Sequence, residues 1–133
     1  DLFSGVGSFG LECISRGASR VDFFENYPDT LKVLKKNIDM FNCNNIAKVW
    51  PIDAFNENSI KSLKNTYEII FIDPPYKEKK TSDLLKEILK LNILKKNGII
   101  IIHRHKNEND DFTKKFNILV QRKYGISKII FGN

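Results

Sequence analysis

A chain of 133 residues, 41% of them apolar, has material for one domain with a buried core and is too apolar for a disordered tail. Its 22 Lys and Arg outnumber 16 Asp and Glu, giving a net charge of +6 that suits a polyanion such as nucleic acid and equally a lysine-rich solvated surface. Cys13 and Cys43 offer no metal-ligand spacing or disulfide framework, and no apolar run suits a membrane span or signal peptide, so a reducing cytoplasm is expected.

Predicted strands and helices alternate from the first residue. Asp1–Phe3 reads as the end of a strand, and an upstream segment is expected before it. Ser8–Arg16 carries Phe9, Leu11, Cys13 and Ile14 at helical spacing, with Gly17 as a stop. Val21–Glu25 is a strand, and Pro28 opens a helix whose apolar face is Leu31, Leu34, Ile38 and Phe41. Ala47–Ile52 is a strand and residues 55–64 a short helix. Tyr67–Asp73 is a strand whose unbroken Ile69–Ile72 run predicts cover on both faces. Residues 81–91 form a helix, Asn97–Gly98 a turn, and Ile99–Ile102 a second non-alternating strand. Polar residues 108–115 are read as a short helix. Phe116–Lys123 and Ile126–Phe131 are two final strands joined through Tyr124–Gly125. This alternation predicts a parallel, doubly wound α/β sheet with ligands at the carboxyl ends of its strands. Asp1–Gly7, Glu25, Asp53 and Asp73 all fall at such ends.

The segment Gly5-Val-Gly7-Ser-Phe-Gly10 is a G-x-G-x-x-G. It is either a tight strand-to-helix turn or a place where a nucleotide-like ligand meets backbone. Glu25, 20 residues past Gly5, is placed to accept from ribose hydroxyls, which fits NAD and S-adenosylmethionine alike. Asp1 favours the second, since an acid beside the glycines repels pyrophosphate and attracts an ammonium or sulfonium. Asp53-Ala54 reads either as an acceptor for an adenine amino group or as a helix cap.

Phe71-Ile-Asp-Pro-Pro-Tyr76 is more specific. Two prolines cannot donate to a sheet ladder, so the strand stops at Asp73. An acid, carbonyls without partnering N–H groups, and an aromatic ring suit a flat group bearing N–H bonds.

Taken together, DLFSGVGSFG, VDFFEN, IDA and FIDPPY resemble the motif series of class I S-adenosylmethionine-dependent methyltransferases. Asp-Pro-Pro-Tyr resembles the signature of those that methylate exocyclic amino groups of bases. The run from Asp1 to Ile38, that signature and the closing RKYGISKI are similar to the RsmD family, bacterial 16S rRNA guanine-N2 methyltransferases. The resemblance implies a Rossmann-like, mostly parallel seven-stranded sheet with helices on both faces, a C-terminal β-hairpin and a truncated first strand, in a single domain over residues 1–133. It implies S-adenosylmethionine as cofactor, held by Asp1, Phe3, Ser4, Gly5, Gly7, Glu25, Asn26, Asp53 and Ala54, with no metal. It implies Asp73, Pro74, Pro75 and Tyr76 as the catalytic corner, and 16S rRNA or the small ribosomal subunit as the partner of a cytoplasmic monomer. Asp73 and the Pro74 carbonyl would orient the amine, and Tyr76 would stack on the base. A DNA amino-methyltransferase (adenine N6 or cytosine N4) and a non-catalytic nucleotide-binding domain are the alternatives.

Members of the family often carry an acid at the end of the fifth strand, where this chain has His103-Arg104-His105. That stretch reads as a solvated basic edge. Lys77–Lys80, directly after the corner, are the expected contacts to the RNA backbone.

Overall fold

The computed structural model describes residues 1–133, with the side chain of Glu57 alone outside the description. The chain forms two compact units, Asp1–Ala54 and Phe55–Asn133.

The first unit holds α1 (Ser8–Ser15), β1 (Val21–Phe24), α2 (Pro28–Met40) and β2 (Ala47–Trp50). β1 and β2 are parallel, with Val21 opposite Ala47 and Phe24 opposite Trp50. Leu2 adds a one-residue parallel bridge to Phe24. Pro28 sits in the first helical turn, where its missing N–H is harmless, and Leu34 and Ile38 point inward one turn apart. They pack with Val21, Phe23 and Cys43 into the core of this unit. Phe41, expected on that buried face, is instead 62% exposed, because the helix ends at Met40 and the chain turns at Asn42 with φ 51°.

The second unit holds α3 (Glu57–Lys61), β3 (Tyr67–Ile72), α4 (Thr81–Lys90), β4 (Leu94–His105), β5 (Ile118–Tyr124) and β6 (Ser127–Gly132). Its sheet runs β3-β4-β6-β5, with β3 and β4 parallel and the β5–β6 hairpin antiparallel to β4. Leu84, Leu85 and Ile88 of α4 are buried, as are Ile70, Ile72, Ile100, Ile102 and Ile130 of the sheet. Burying each such side chain contributes about 1.5–3 kcal/mol.

Three expectations are corrected here. Asn97–Gly98 does not separate elements but lies inside β4, where the partner register slips from Tyr67–Leu94 to Ile69–Ile99 and the extra residues bulge out. Cover on both faces of β3 and β4 gives way to alternation: Ile70 and Ile72 are buried while Ile69 is 45% exposed, and in β4 Ile100, Ile102 and Arg104 are buried while the residues between them are half-buried. Residues 108–115 form turns and extended chain rather than a helix. Their polar groups are engaged elsewhere, since Asp110 and Glu108 face Arg104, and the Glu108 carbonyl accepts from Lys128 Nζ.

Candidate active site

In the first unit the glycine loop closes on two carboxylates. Asp1 Oδ2 accepts from the Gly10 amide at 3.0 Å, tying the loop to the first turn of α1. Asp1 Oδ1 is buried and has no hydrogen-bond partner among the described residues. An orphaned carboxylate oxygen is costly unless a ligand supplies a donor or cation. Glu25 Oε2 accepts from the Gly5 amide at 2.9 Å, while Oε1 accepts from the Asn26 and Tyr27 amides at the start of α2, at 2.9 and 2.8 Å. Those bonds fix the carboxylate and leave lone pairs for further donors. Ser4 is buried, and its hydroxyl donates to the Phe24 carbonyl at 2.8 Å, so this side chain holds the loop to β1.

The glycines differ in role. Gly5 has φ +56°, and a Cβ built on it would meet nothing within 4 Å, leaving open space beside the backbone. A Cβ on Gly7 would lie 2.5 Å from Leu34 Cδ1, and one on Gly10 2.2 Å from Phe23 Cε1. Gly7 and Gly10 therefore let the loop and α1 pack closely, whereas Gly5 keeps space open. Phe3, just before the loop, has φ 63°, a conformation bulky side chains rarely adopt and one that concentrates at functional sites. Asp53 is exposed and Ala54 buried, both at the end of this unit.

In the second unit β3 stops at Ile72 and the corner follows. Asp73 is half-buried, Pro74 buried and Tyr76 38% exposed. The Pro75 carbonyl accepts from the Glu78 amide at 2.9 Å, closing a turn. No hydrogen bond to the Pro74 carbonyl is found among the described residues. The acceptors left at the corner are thus the Pro74 carbonyl and Asp73 Oδ2.

Asp73 Oδ1 lies 2.7 Å from His103 Nδ1, and His103 Nε2 lies 2.9 Å from Ser127 Oγ. The Tyr76 ring meets the rings of His103 and His105 edge-on at 5.7 and 5.5 Å. His103–Arg104–His105 is therefore no solvated edge. Arg104 is 1% exposed. Its Nε donates to both Asp110 oxygens at 3.1 Å, and its Nη2 donates to the Glu78 carbonyl at 2.8 Å. It thereby ties β4 to the turn after the corner. The signal was present in the sequence: carrying the two-residue period past Ile102 puts Arg104 on the core face and both histidines on the face shared with Ser127. Lys77, Lys79 and Lys80 are exposed, as their pattern predicts.

Among the described residues no cluster of His, Cys, Asp and Glu is placed to hold a metal ion, and no helix is long and apolar enough to cross a membrane.

Parallel βα units, a glycine loop at the start of α1 and a proline corner after β3 define an α/β fold of the Rossmann-like class. Comparison with known proteins gives the family. The model of the family described as "Conserved hypothetical protein 95" matches residues 1–133, and the chain belongs to that family, the RsmD family of the sequence resemblance. The chain is 37% identical over 116 residues to "Ribosomal RNA small subunit methyltransferase D" of Buchnera aphidicola subsp. Acyrthosiphon pisum, a match covering 82% of this chain and 56% of that protein. It is 30% identical over 132 residues to the protein of the same name from Buchnera aphidicola subsp. Baizongia pistaciae, covering 99% of this chain and 66% of that one. The chain thus spans between half and two-thirds of these relatives. Among solved structures, a conserved hypothetical protein of Streptococcus pyogenes superposes with a TM-score of 0.88 at 25% identity, covering all of this chain and 83% of that one.

Proposed function

We propose that the protein transfers a methyl group from S-adenosylmethionine to the exocyclic N2 amino group of a guanine in 16S rRNA. The observation that carries this reading is the corner after β3, where Asp73 Oδ2 and the Pro74 carbonyl remain as acceptors while Asp73 Oδ1 is anchored by His103. The names of the curated relatives, ribosomal RNA small subunit methyltransferases, support RNA as the substrate.

S-adenosylmethionine supplies an electrophilic methyl group on a sulfonium. The first unit fits such a ligand. The orphaned Asp1 oxygen suits a cation, Gly5 leaves room at the backbone, and the fixed Glu25 carboxylate suits ribose hydroxyls. Phe3, Ser4, Gly7, Asn26, Asp53 and Ala54 complete the proposed cofactor set. An exocyclic amine is a weak nucleophile because its lone pair is delocalised into the ring. Accepting both its N–H bonds turns that lone pair outward, and the bonds tighten as positive charge builds on nitrogen, favouring the transition state. Tyr76 offers a stacking surface for a base held outside its helix, and Lys77, Lys79 and Lys80 offer charge for phosphates. Pro75 keeps the corner stiff. A single seven-stranded domain, acting as a cytoplasmic monomer, belongs to the same proposal.

The test is transfer of label from S-adenosylmethionine to undermodified small ribosomal subunits, with nucleoside analysis of the product. Duplex DNA as competitor separates the DNA amino-methyltransferase alternative. Calorimetry with NAD against S-adenosylmethionine separates a non-catalytic nucleotide-binding domain. Absence of methylated guanine would refute the proposal.

A further inference from the structure

Asp73, His103 and Ser127 come from three separate places in the chain and form one hydrogen-bonded line. An ionised carboxylate only accepts, so Asp73 Oδ1 requires a proton on His103 Nδ1. In the neutral ring Nε2 is then an acceptor, and Ser127 O–H donates to it. Tyr76 O–H stands 3.4 Å from Ser127 Oγ, at the end of the line. The His103 and Asp73 side chains are 22% and 39% exposed, so this is a partly sheltered arrangement open on the side of Asp73.

We infer that His103 is a positioning residue for the amine-binding corner. Its Nδ1–H holds Asp73 Oδ1 so that Oδ2 and the Pro74 carbonyl are the two acceptors offered to the substrate, and Ser127 fixes the ring and its tautomer. The inference rests on the proposed amine methylation. In that transfer the amine lone pair forms the N–C bond, the former S–C pair stays with sulfur, and one amine proton leaves to Asp73 Oδ2 and then to water. A carboxylate free to rotate would present its oxygens in varying directions, and misplacement of this kind lowers the rate of an oriented transfer by roughly a hundredfold for about 1 Å.

The test separates the two ring nitrogens. His103→Ala removes both. His103→Asn places an amide N–H near the position of Nδ1, and His103→Gln places one near that of Nε2. Methyl transfer to undermodified small subunits is expected to fall roughly tenfold to a hundredfold in kcat for His103→Ala and His103→Gln, and to be largely restored in His103→Asn. Affinity for S-adenosylmethionine by calorimetry is expected to match wild type in all three. Independently of activity, NMR of the imidazole nitrogens in the unliganded protein is expected to show the proton on Nδ1, a bias that Asp73→Ala removes. Wild-type kcat in His103→Ala, equal rescue by His103→Gln and His103→Asn, or a proton found on Nε2 overturns the inference. If the wild-type protein transfers no methyl group, the enzymatic reading fails by itself, while the NMR signature still decides whether His103 and Asp73 are coupled.

Discussion

Gly10 and Phe23 lie so close that no side chain fits between them: a Cβ at Gly10 would stand 2.2 Å from Phe23 Cε1 and 2.9 Å from Val21 Cγ1. Phe23 is fully buried and cannot swing away. Gly10→Ala is therefore expected to force α1 off β1 and destabilise the protein by about 1–3 kcal/mol, read as a lower denaturant midpoint. Gly5→Ala meets no atom and is expected to cost about 1–2 kcal/mol through its left-handed backbone alone. Equal midpoints for Gly10→Ala and wild type would refute the packing role.

Glu25 joins the Gly5 amide to the start of α2, and its charge faces three amides. Glu25→Gln keeps the shape but loses the charge and part of the accepting capacity. Hydrogen bonds to charged groups contribute about 1.5–3 kcal/mol, so affinity for S-adenosylmethionine is expected to fall roughly tenfold to a hundredfold. Calorimetry measures this directly, and an unchanged Kd would remove Glu25 from the cofactor set.

The α/β alternation and the end of β3 just before the prolines were legible because they rest on local chemistry: helical spacing around Leu34 and Ile38, a ladder that two prolines cannot join, and glycines at a tight strand-to-helix turn. What escaped was set by tertiary partners. Arg104 reads as a surface cation until Asp110 is seen folding back to it. The 108–115 segment, polar enough for an exposed helix, is drawn out by the same pairing. The Asp73–His103 bond joins residues 30 positions apart and leaves no periodic trace, although the alternation of β4 already separated the histidines from Arg104.

The Arg104–Asp110 pair is buried on both sides, with side chains 1% and 6% exposed. Removing one partner strands the other charge, which costs about 3–5 kcal/mol, whereas replacing both by apolar residues is often neutral. Arg104→Met is accordingly expected to unfold at much lower urea than wild type. Arg104→Lys should fall between, because it lacks the fork that spans both Asp110 oxygens and the Glu78 carbonyl. Arg104→Met with Asp110→Leu should regain part of the loss. A single Arg104→Met variant with the wild-type midpoint would show that the pair contributes nothing.

In the proposed reaction Tyr76 is expected to contribute through its ring rather than its hydroxyl. The ring is 38% exposed beside the acceptors of the corner, whereas the hydroxyl reaches Ser127 only at 3.4 Å, at the long limit for a hydrogen bond. Stacking of a base on an aromatic side chain is worth about 1–3 kcal/mol. Tyr76→Ala is thus expected to weaken use of the rRNA substrate, with kcat/KM for subunits lower by roughly fivefold to a hundredfold. Tyr76→Phe keeps the ring and is expected to stay within about twofold of wild type, since so long a bond contributes little. Binding of S-adenosylmethionine is expected to stay near wild type in both variants, because Tyr76 is not among the residues proposed to hold it. If Tyr76→Phe proved as damaging as Tyr76→Ala, the hydroxyl and its link to Ser127 would carry the function, and stacking would not.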